Sequence, residues 1–340
     1  MKTRIRIILF LVCLACLGGI SCRKDDNTGA LSGPGNETLL NHLQNNYAFS
    51  LFYHALHRTG LDKQLNGMTS YTLLVADNDA FGRDSISSID SLDRMDTAVL
   101  RKWMAYHILS GTVRVADIAQ AVNNPYSSIS GLPLWFSRPI PGRSQLQKDF
   151  AHILHINGDT VNNSDIIASD GVIQVLNRPL QLPVSSVQDY LTGHSQYSEL
   201  VTGLKNFGCW DQLAGAGPYT VFAPDNSSFD GISVKPDSLA RLDTVRFQKS
   251  LFGIYVLAPG RLFLTDFYDV GLSQSTGVYT TPTGSYYLSN MGTLTDAGTD
   301  PVTQKPIPPA SWTTTNIITM NGVIQCLNGV LLTPGQTKKK

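Results

Sequence analysis

From Glu37 onward, apolar residues recur at helical spacing: Leu39, Leu40 and Leu43, then Leu51, Phe52, Ala55 and Leu56, as far as Gly60, a helix stop. A run of apolar and β-branched residues follows at Tyr71-Thr-Leu-Leu-Val-Ala76, unbroken enough to predict a buried strand. It enters a turn at Asp77-Asn78 and then a helix carrying Phe81, and short Asx side chains there suit the free amides of a first helical turn. Asp96 to Leu109 reads as a second capped helix, with Val99, Leu100, Trp103, Met104 and Ile108 on or near one face. Phe150 to Val161 and Asn163 to Leu182 alternate like paired strands with an Asn-Gly turn between. They close in Ser169-Asp-Gly-Val-Ile-Gln-Val-Leu-Asn177, where Ile173 and Val175, two apart, are expected to face one core.

The pattern then starts again. Val187, Leu191, Leu200, Leu204, Gly208 and Leu213 stand 148 residues after Leu39, Leu43, Phe52, Leu56, Gly60 and Leu65. Tyr219-Thr-Val-Phe-Ala-Pro-Asp-Asn-Ser-Ser-Phe229 copies Tyr71-Thr-Leu-Leu-Val-Ala-Asp-Asn-Asp-Ala-Phe81 at the same offset, with Pro224 holding the preceding chain extended. Met320-Asn-Gly-Val-Ile-Gln-Cys-Leu-Asn328 copies the closing strand at 151, so the intervening loops have grown by three residues. The chain is a tandem repeat. Its 340 residues, 42% hydrophobic and 15% charged, suffice for two ordinary cores.

The first repeated stretch resembles the opening signature of fasciclin-type domains, Thr-[Val/Leu]-Phe-Ala-Pro-x-Asn-x-x-Phe, more closely in the second copy. In the first copy Leu74 stands for the aromatic and Ala76 for the proline. The closing strands resemble the family's second signature, with Gln174 and Gln325 where His is common. The resemblance covers residues 36 to 334 and implies an α+β chain of two tandem fasciclin-type domains, 36–183 and 184–334. Each would be a β-sandwich-like wedge with packed α-helices, its final strand returning beside its start. Tyr106-His-Ile-Leu-Ser-Gly111 resembles the family's Tyr-His segment, linked there to adhesion; the second copy has Tyr255 where His107 stands. A His among buried apolar residues is more often a hydrogen-bonded packing residue, which is the preferred reading of His107.

The amino terminus adds a location. Lys2, Arg4 and Arg6 precede an apolar run from Ile7 to about Ile20, too short to span a membrane and read as a secretory signal over residues 1–21. Gly19-Ile-Ser-Cys22 resembles a bacterial lipoprotein processing site, which makes Cys22 the expected lipidation site, with cleavage elsewhere into an ordinary periplasmic protein as the alternative. Arg23-Lys-Asp-Asp26 resembles the export cluster of surface lipoproteins in Bacteroidetes-type bacteria, and residues 22–35 read as a flexible tether. The expected location is the outer membrane, lipid-anchored and facing the exterior. Loss of residues 1–21 changes the formal net charge from +0 to −3, and nothing suggests nucleic acid. Cys209 and Cys326, opposite Leu61 and Val175 of the first copy, read as small core hydrophobes, with a disulfide between them as the alternative.

No catalytic constellation, cofactor cradle or metal set emerges, so the chain reads as a non-enzyme without cofactor. His152 and His155 fall on opposite faces of a strand. His54 and His57 share a helix face, yet no Cys or carboxylate completes a set nearby in the sequence. Gly215-Ala-Gly217 lacks the third glycine of a phosphate loop. Two segments between the signatures read as long loops: Pro125 to Arg143, with Tyr126, Trp135 and Phe136, and Tyr279 to Trp312, nearly uncharged and rich in Gly, Thr, Ser and Pro. Tyr279, Tyr286, Tyr287 and Trp312 offer flat apolar faces with polar edges, suited to sugar rings or a protein surface, or to covering a sheet edge. They are preferred over Tyr106 and His107 as the binding residues. The expected function is adhesion to a glycan or protein; the alternative is an accessory subunit of a TonB-dependent glycan-uptake complex.

Overall fold

The structure, a computed structural model, describes residues 37–66, 69–138, 154–183, 185–230, 242–269, 277–281, 284–289, 293–295 and 310–339. Cys22 and the residues expected to form a signal and a tether lie outside them. The first unit opens with α1 (Leu39–Asn45), whose N-cap Thr38 accepts the Asn41 amide through its hydroxyl. The helical spacing that runs on to Gly60 is interrupted at Asn46. Its side-chain oxygen takes the Ala48 amide at 3.0 Å, and a 3-10 turn separates α1 from α2 (Ser50–Thr59). Gly60 stops α2 in the left-handed conformation, φ 70°, its amide bonding back to the last-turn carbonyls. After α3 (Leu61–Leu65) come β1 (Tyr71–Ala76), α4 (Asn78–Arg83), α5 (Ile89–Asp93) and α6 (Thr97–Tyr106). Asp96 caps α6 as the sequence predicts, but the helix ends at Tyr106 rather than Leu109. His107 Nδ1 donates to the Trp103 carbonyl, and Ile108–Ser110 pairs with β1 as strand β2.

β3 (Asn124–Ser127), β4 (Pro133–Ser137), β5 (His155–Ile156), β6 (Asp159–Ala168) and β7 (Gly171–Leu176) complete one seven-stranded sheet in the order β2-β1-β7-β6-β5-β4-β3. The β5–β6 turn is Asn157-Gly158, both at positive φ (52° and 79°), as a two-residue hairpin turn requires. At the centre β1 and β7 run parallel, Tyr71 opposite Gly171 through Ala76 opposite Leu176, and every residue of both is buried. A Cβ on Gly171 would lie 1.9 Å from the Tyr71 carbonyl oxygen, so only glycine admits this pairing. Successive residues of β1 serve different layers. Leu73 and Val75 pack with Phe52, Phe81, Trp103, Ile173 and Val175 beneath the helices; Leu74 packs with Phe136, Ile156 and Leu176. Residues of β4 and β5 thus lie over the central strands, and the register breaks in β6 around Asn163 bend the sheet to bring them there.

The second unit repeats the plan with α7 (Val187–Gly193), α8 (Ser198–Asn206), β8 (Tyr219–Pro224), α9 (Asn226–Asp230), α10 (Ser250–Gly253), β9 (Val256–Leu257) and α11 (Asp266–Asp269). Then come β10 (Gly277–Thr281), β11 (Gly284–Ser289), β12 (Thr293–Thr295), β13 (Ala310–Ser311), β14 (Ile317–Thr319), β15 (Gly322–Leu327) and α12 (Pro334–Thr337). β8 and β15 form the central parallel pair, Tyr219 opposite Gly322 through Pro224 opposite Leu327, flanked by β9 and β14. Ile324 and Cys326 face one core with Val221, Phe222, Phe229 and Phe252. Cys209 and Cys326 are both buried free thiols.

Both segments read as long loops contain strands instead. Tyr126 and Trp135 belong to the β3–β4 hairpin, and β10–β13 make a four-stranded ribbon. The frequent Gly, Pro, Ser and Thr suggested loop, but in Val278-Tyr279-Thr280-Thr281 and Tyr286-Tyr287-Leu288 the β-branched and aromatic residues favour a pleated ladder.

The two units meet through β4. The guanidinium of Arg261 lies 3.8 Å from the centre of the Trp135 ring, and its Nη1 donates to the Gly322 carbonyl at 2.6 Å. Trp135 also packs with Phe263, Ile318 and Val323 of the second unit. Asn123 Nδ2 donates to the Arg261 carbonyl, and Asn316 Nδ2 reaches the Gly158 carbonyl at 3.4 Å.

Candidate functional site

The polar residues of the signatures work inside the fold. Thr72 Oγ1 donates to the Gly111 carbonyl (2.7 Å) and accepts from the Val113 amide (2.8 Å); Thr220 does the same for Gly260 and Leu262 at 3.0 and 2.8 Å. Gln174, fully buried, accepts from the Asp165 amide and donates to the Val113 carbonyl and Asp165 Oδ1. Gln325 repeats this with Asn316 and the Leu262 carbonyl. Asp165 and Asn316 hold matching left-handed conformations, φ 57° and 60°. Each glutamine therefore ties a residue in the left-handed conformation to the loop that follows β2 in the first unit and β9 in the second. Asp77 caps its own helix by accepting the Ala80 amide at 2.7 Å. Asn78 instead reaches back to α2, accepting the Leu51 amide and donating to the Tyr47 carbonyl, and Asn226 does likewise with Glu199 and Ser195 at α8.

Tyr106 and His107 are buried, at 0% and 1% exposure, so no ligand reaches them while the unit stays closed. The Tyr106 hydroxyl donates to the Pro133 carbonyl and accepts from Asn157 Nδ2, both at 2.9 Å, and burial pushes its pKa up. His107 Nδ1 donates to the Trp103 carbonyl (2.9 Å), which leaves Nε2 to accept the Leu180 amide (2.8 Å). Burial lowers its pKa to about 4, against the pull of the Trp103 carbonyl, so the ring is neutral. In the second unit the Tyr255 hydroxyl accepts the amide of Leu331 at 3.0 Å, at the place equivalent to Leu180. The His-to-Tyr exchange keeps the tie to the returning chain.

The aromatic candidates of the second unit divide between core and ribbon. Trp312 is half-buried and packs on Phe222 and Phe267, with ring centres 6.2 and 6.3 Å away, so it anchors the ribbon's end to the core. Tyr279 is the cross-strand partner of Tyr286, whereas Tyr287 pairs with Val278. Positions 279 and 286 share one face of the ribbon and 287 lies on the other.

Other polar groups are paired locally. His54 Nε2 lies 2.8 Å from Asp93, a carboxylate the fold brings from 39 residues away, and His57 Nδ1 lies 2.8 Å from Asp62, only five residues on. Each His has its own partner, and no cluster of three metal-ligating residues occurs among the described residues. His155 is buried in β5, and His152 lies outside the described residues. Near the close of the first unit, Asp84 receives Gln181 Nε2 at 2.8 Å and lies 3.7 Å from Arg178. Burial pushes Asp159 up to about 7, with Arg178 and His155 opposing and Asp84 adding to the rise.

The fasciclin domain model matches residues 47–183 and again 195–333, together most of the chain. The chain belongs to the fasciclin-domain family. Transforming growth factor-beta-induced protein ig-h3 of Sus scrofa is 35% identical over 81 residues, 22% of this chain and 12% of that protein. Stabilin-1 of Homo sapiens is 25% identical over 197 residues, 55% of this chain and 7% of that protein. The fasciclin chain described here thus spans a small part of these relatives. A solved FAS1 domain pair from the insect cell adhesion molecule fasciclin I aligns over 85% of this chain and 98% of its own, at 17% identity and a TM-score of 0.36. No enzymatic family is indicated by these matches. Sequence reasoning missed the place where the two fasciclin units join. Arg261 follows Gly260 where the first unit has Thr112 after Gly111, and that unmatched arginine was the available signal.

Proposed function

We propose that this fasciclin-domain protein is a non-catalytic adhesion or interaction protein of the cell surface, binding a glycan or a protein through the tyrosines of the β10–β11 ribbon. One observation carries the reading: the family's polar signature residues in both units are consumed by internal hydrogen bonds, so recognition falls to what the units add around them. The ribbon is such an addition, with Tyr279, Tyr286 and Tyr287 within its first two strands. Membership of the fasciclin family supports an adhesion or interaction role without catalysis. The lipid anchor at Cys22 and an outward-facing position in the outer membrane belong to the same proposal.

Two experiments test it. Cys22→Ser should release the protein from the membrane fraction; a variant that still sediments with the outer membrane, alongside a wild-type protein without acyl mass, defeats the anchor. Replacing Tyr279, Tyr286 and Tyr287 together with serine should abolish attachment of displaying cells to a glycan- or protein-coated surface. Attachment that persists with unchanged melting places the binding surface elsewhere.

A further inference from the structure

The first unit carries an open cleft of about 470 Å³ where α1 ends against the irregular part of β6. Phe49, Ile166 and Ile173 give it an apolar floor. Its rim is polar: Asn45, Asn46 and Asn163 are exposed, and Glu37 stands at the mouth with its carboxylate 3.5 Å from His42 Nδ1. Tyr47 projects from this rim with 87% of its surface exposed, the most exposed of the large hydrophobic side chains described. The backbone beneath it is fixed, because Asn78 Nδ2 holds the Tyr47 carbonyl at 2.9 Å and Asn46 caps the 3-10 turn.

The second unit shows that this space is not a by-product of the fold. At the positions equivalent to His42, Asn46 and Phe49 it places Tyr190, His194 and Tyr197, whose rings pack on one another: Tyr190 and His194 stack at 4.1 Å, and His194 and Tyr197 lie 6.4 Å apart. The equivalents of Asn45 and Tyr47 are Gly193 and Ser195. One backbone plan therefore carries a ring stack in the second unit. In the first it carries an open cleft with a projecting aromatic and three amides.

We propose that this cleft is a saccharide-binding site for a neutral pyranose unit, with Tyr47 as the stacking face. A flat aromatic side chain with few rotatable bonds loses little entropy when a sugar ring lies against it, and amides both donate to and accept from ring hydroxyls. The volume lies within the range of small-ligand sites, about 300–1,000 Å³. The Glu37 carboxylate accepts hydroxyl hydrogens and disfavours anionic sugars. The site is separate from the tyrosine ribbon, and the two stand or fall apart.

The test uses the mature chain with Cys22→Ser and an array of immobilised neutral and N-acetylated oligosaccharides, followed by calorimetric titration of the best one. Tyr47→Ala should weaken binding at least tenfold with no change in melting temperature, since the side chain is exposed; Tyr47→Trp should retain binding. The ribbon variant lacking Tyr279, Tyr286 and Tyr287 should bind that saccharide as wild type does, which distinguishes this site from the proposed adhesion surface. No array signal for the wild type, or equal affinity of wild type and Tyr47→Ala, overturns the proposal.

Discussion

The backbone amides of Leu180 and Leu331 each need an acceptor inside the protein, and the first unit supplies a ring nitrogen where the second supplies a phenol oxygen. The choice matters for pH. His107 titrates near 4 when folded and near 6.5 when unfolded, so the unfolded chain binds the proton first. Its stabilising contribution is complete above about 6.5 and is lost as pH falls toward 4, by up to about 3 kcal/mol. Asp159 works in the opposite direction: burial holds its proton to about 7 against 3.8 unfolded, so its contribution is present in acid and lost as pH rises through that window. Urea midpoints of the protein at pH 7 and pH 5 separate the two. His107→Gln should flatten the loss of stability on acidification relative to wild type, and Asp159→Asn should steepen it. Equal slopes in all three proteins would remove both assignments.

At the scale of elements, the signature turn connects one secondary structure to the next and also to an earlier one. Asn78 and Asn226 donate and accept at the N-terminal ends of α2 and α8, some thirty residues upstream, while Phe81 and Phe229 go into the cores at 1% and 2% exposure. Removing the cap in Asn226→Ala should destabilise the second unit by about 1 kcal/mol. Phe229→Ala empties a site stacked on Phe252 and should cost about 3–5 kcal/mol, several times the loss from Asn226→Ala. A thermal melt of each variant checks the order; a Phe229→Ala curve matching wild type would show the ring does not anchor that core. The apolar pattern alone revealed the repeat, the buried strands, the Gly60 stop and the Phe anchors, because each rests on local periodicity or on comparison of the copies; that the two buried strands pair in parallel came from the fold. The pattern did not reveal that Asn78 serves α2, that Asn46 splits the first helix, or that His54 meets Asp93, because those partners lie across the fold or rest on a single side-chain bond. The hairpin and the ribbon were hidden for another reason. Their glycines, prolines and hydroxyl residues suit turns, and only pairing with neighbours makes the intervening Val, Thr and Tyr a ladder.

On the scale of the whole molecule, the units are joined by a contact that neither repeat contains alone. Arg261 is 7% exposed, stacks on Trp135 and bonds to the Gly322 carbonyl, so its charge is compensated by a ring face and a backbone oxygen contributed by different units. Trp135 in turn covers Phe263, Ile318 and Val323. A shared patch of this kind makes unfolding of one unit expose apolar surface of the other, so the two should lose structure together. Trp135→Ala removes the ring that both contacts need and should split a single thermal transition into two. Arg261→Ala also strands the Gly322 carbonyl, so the pairwise term needs the double variant: a cycle over Trp135→Ala and Arg261→Ala should return a coupling of about 0.5–2 kcal/mol. If Trp135→Ala still melts in one step with no coupling in the cycle, the units are held by the neighbouring Asn123 and Asn316 bonds instead, and paired Asn123→Ala and Asn316→Ala changes should then produce the split.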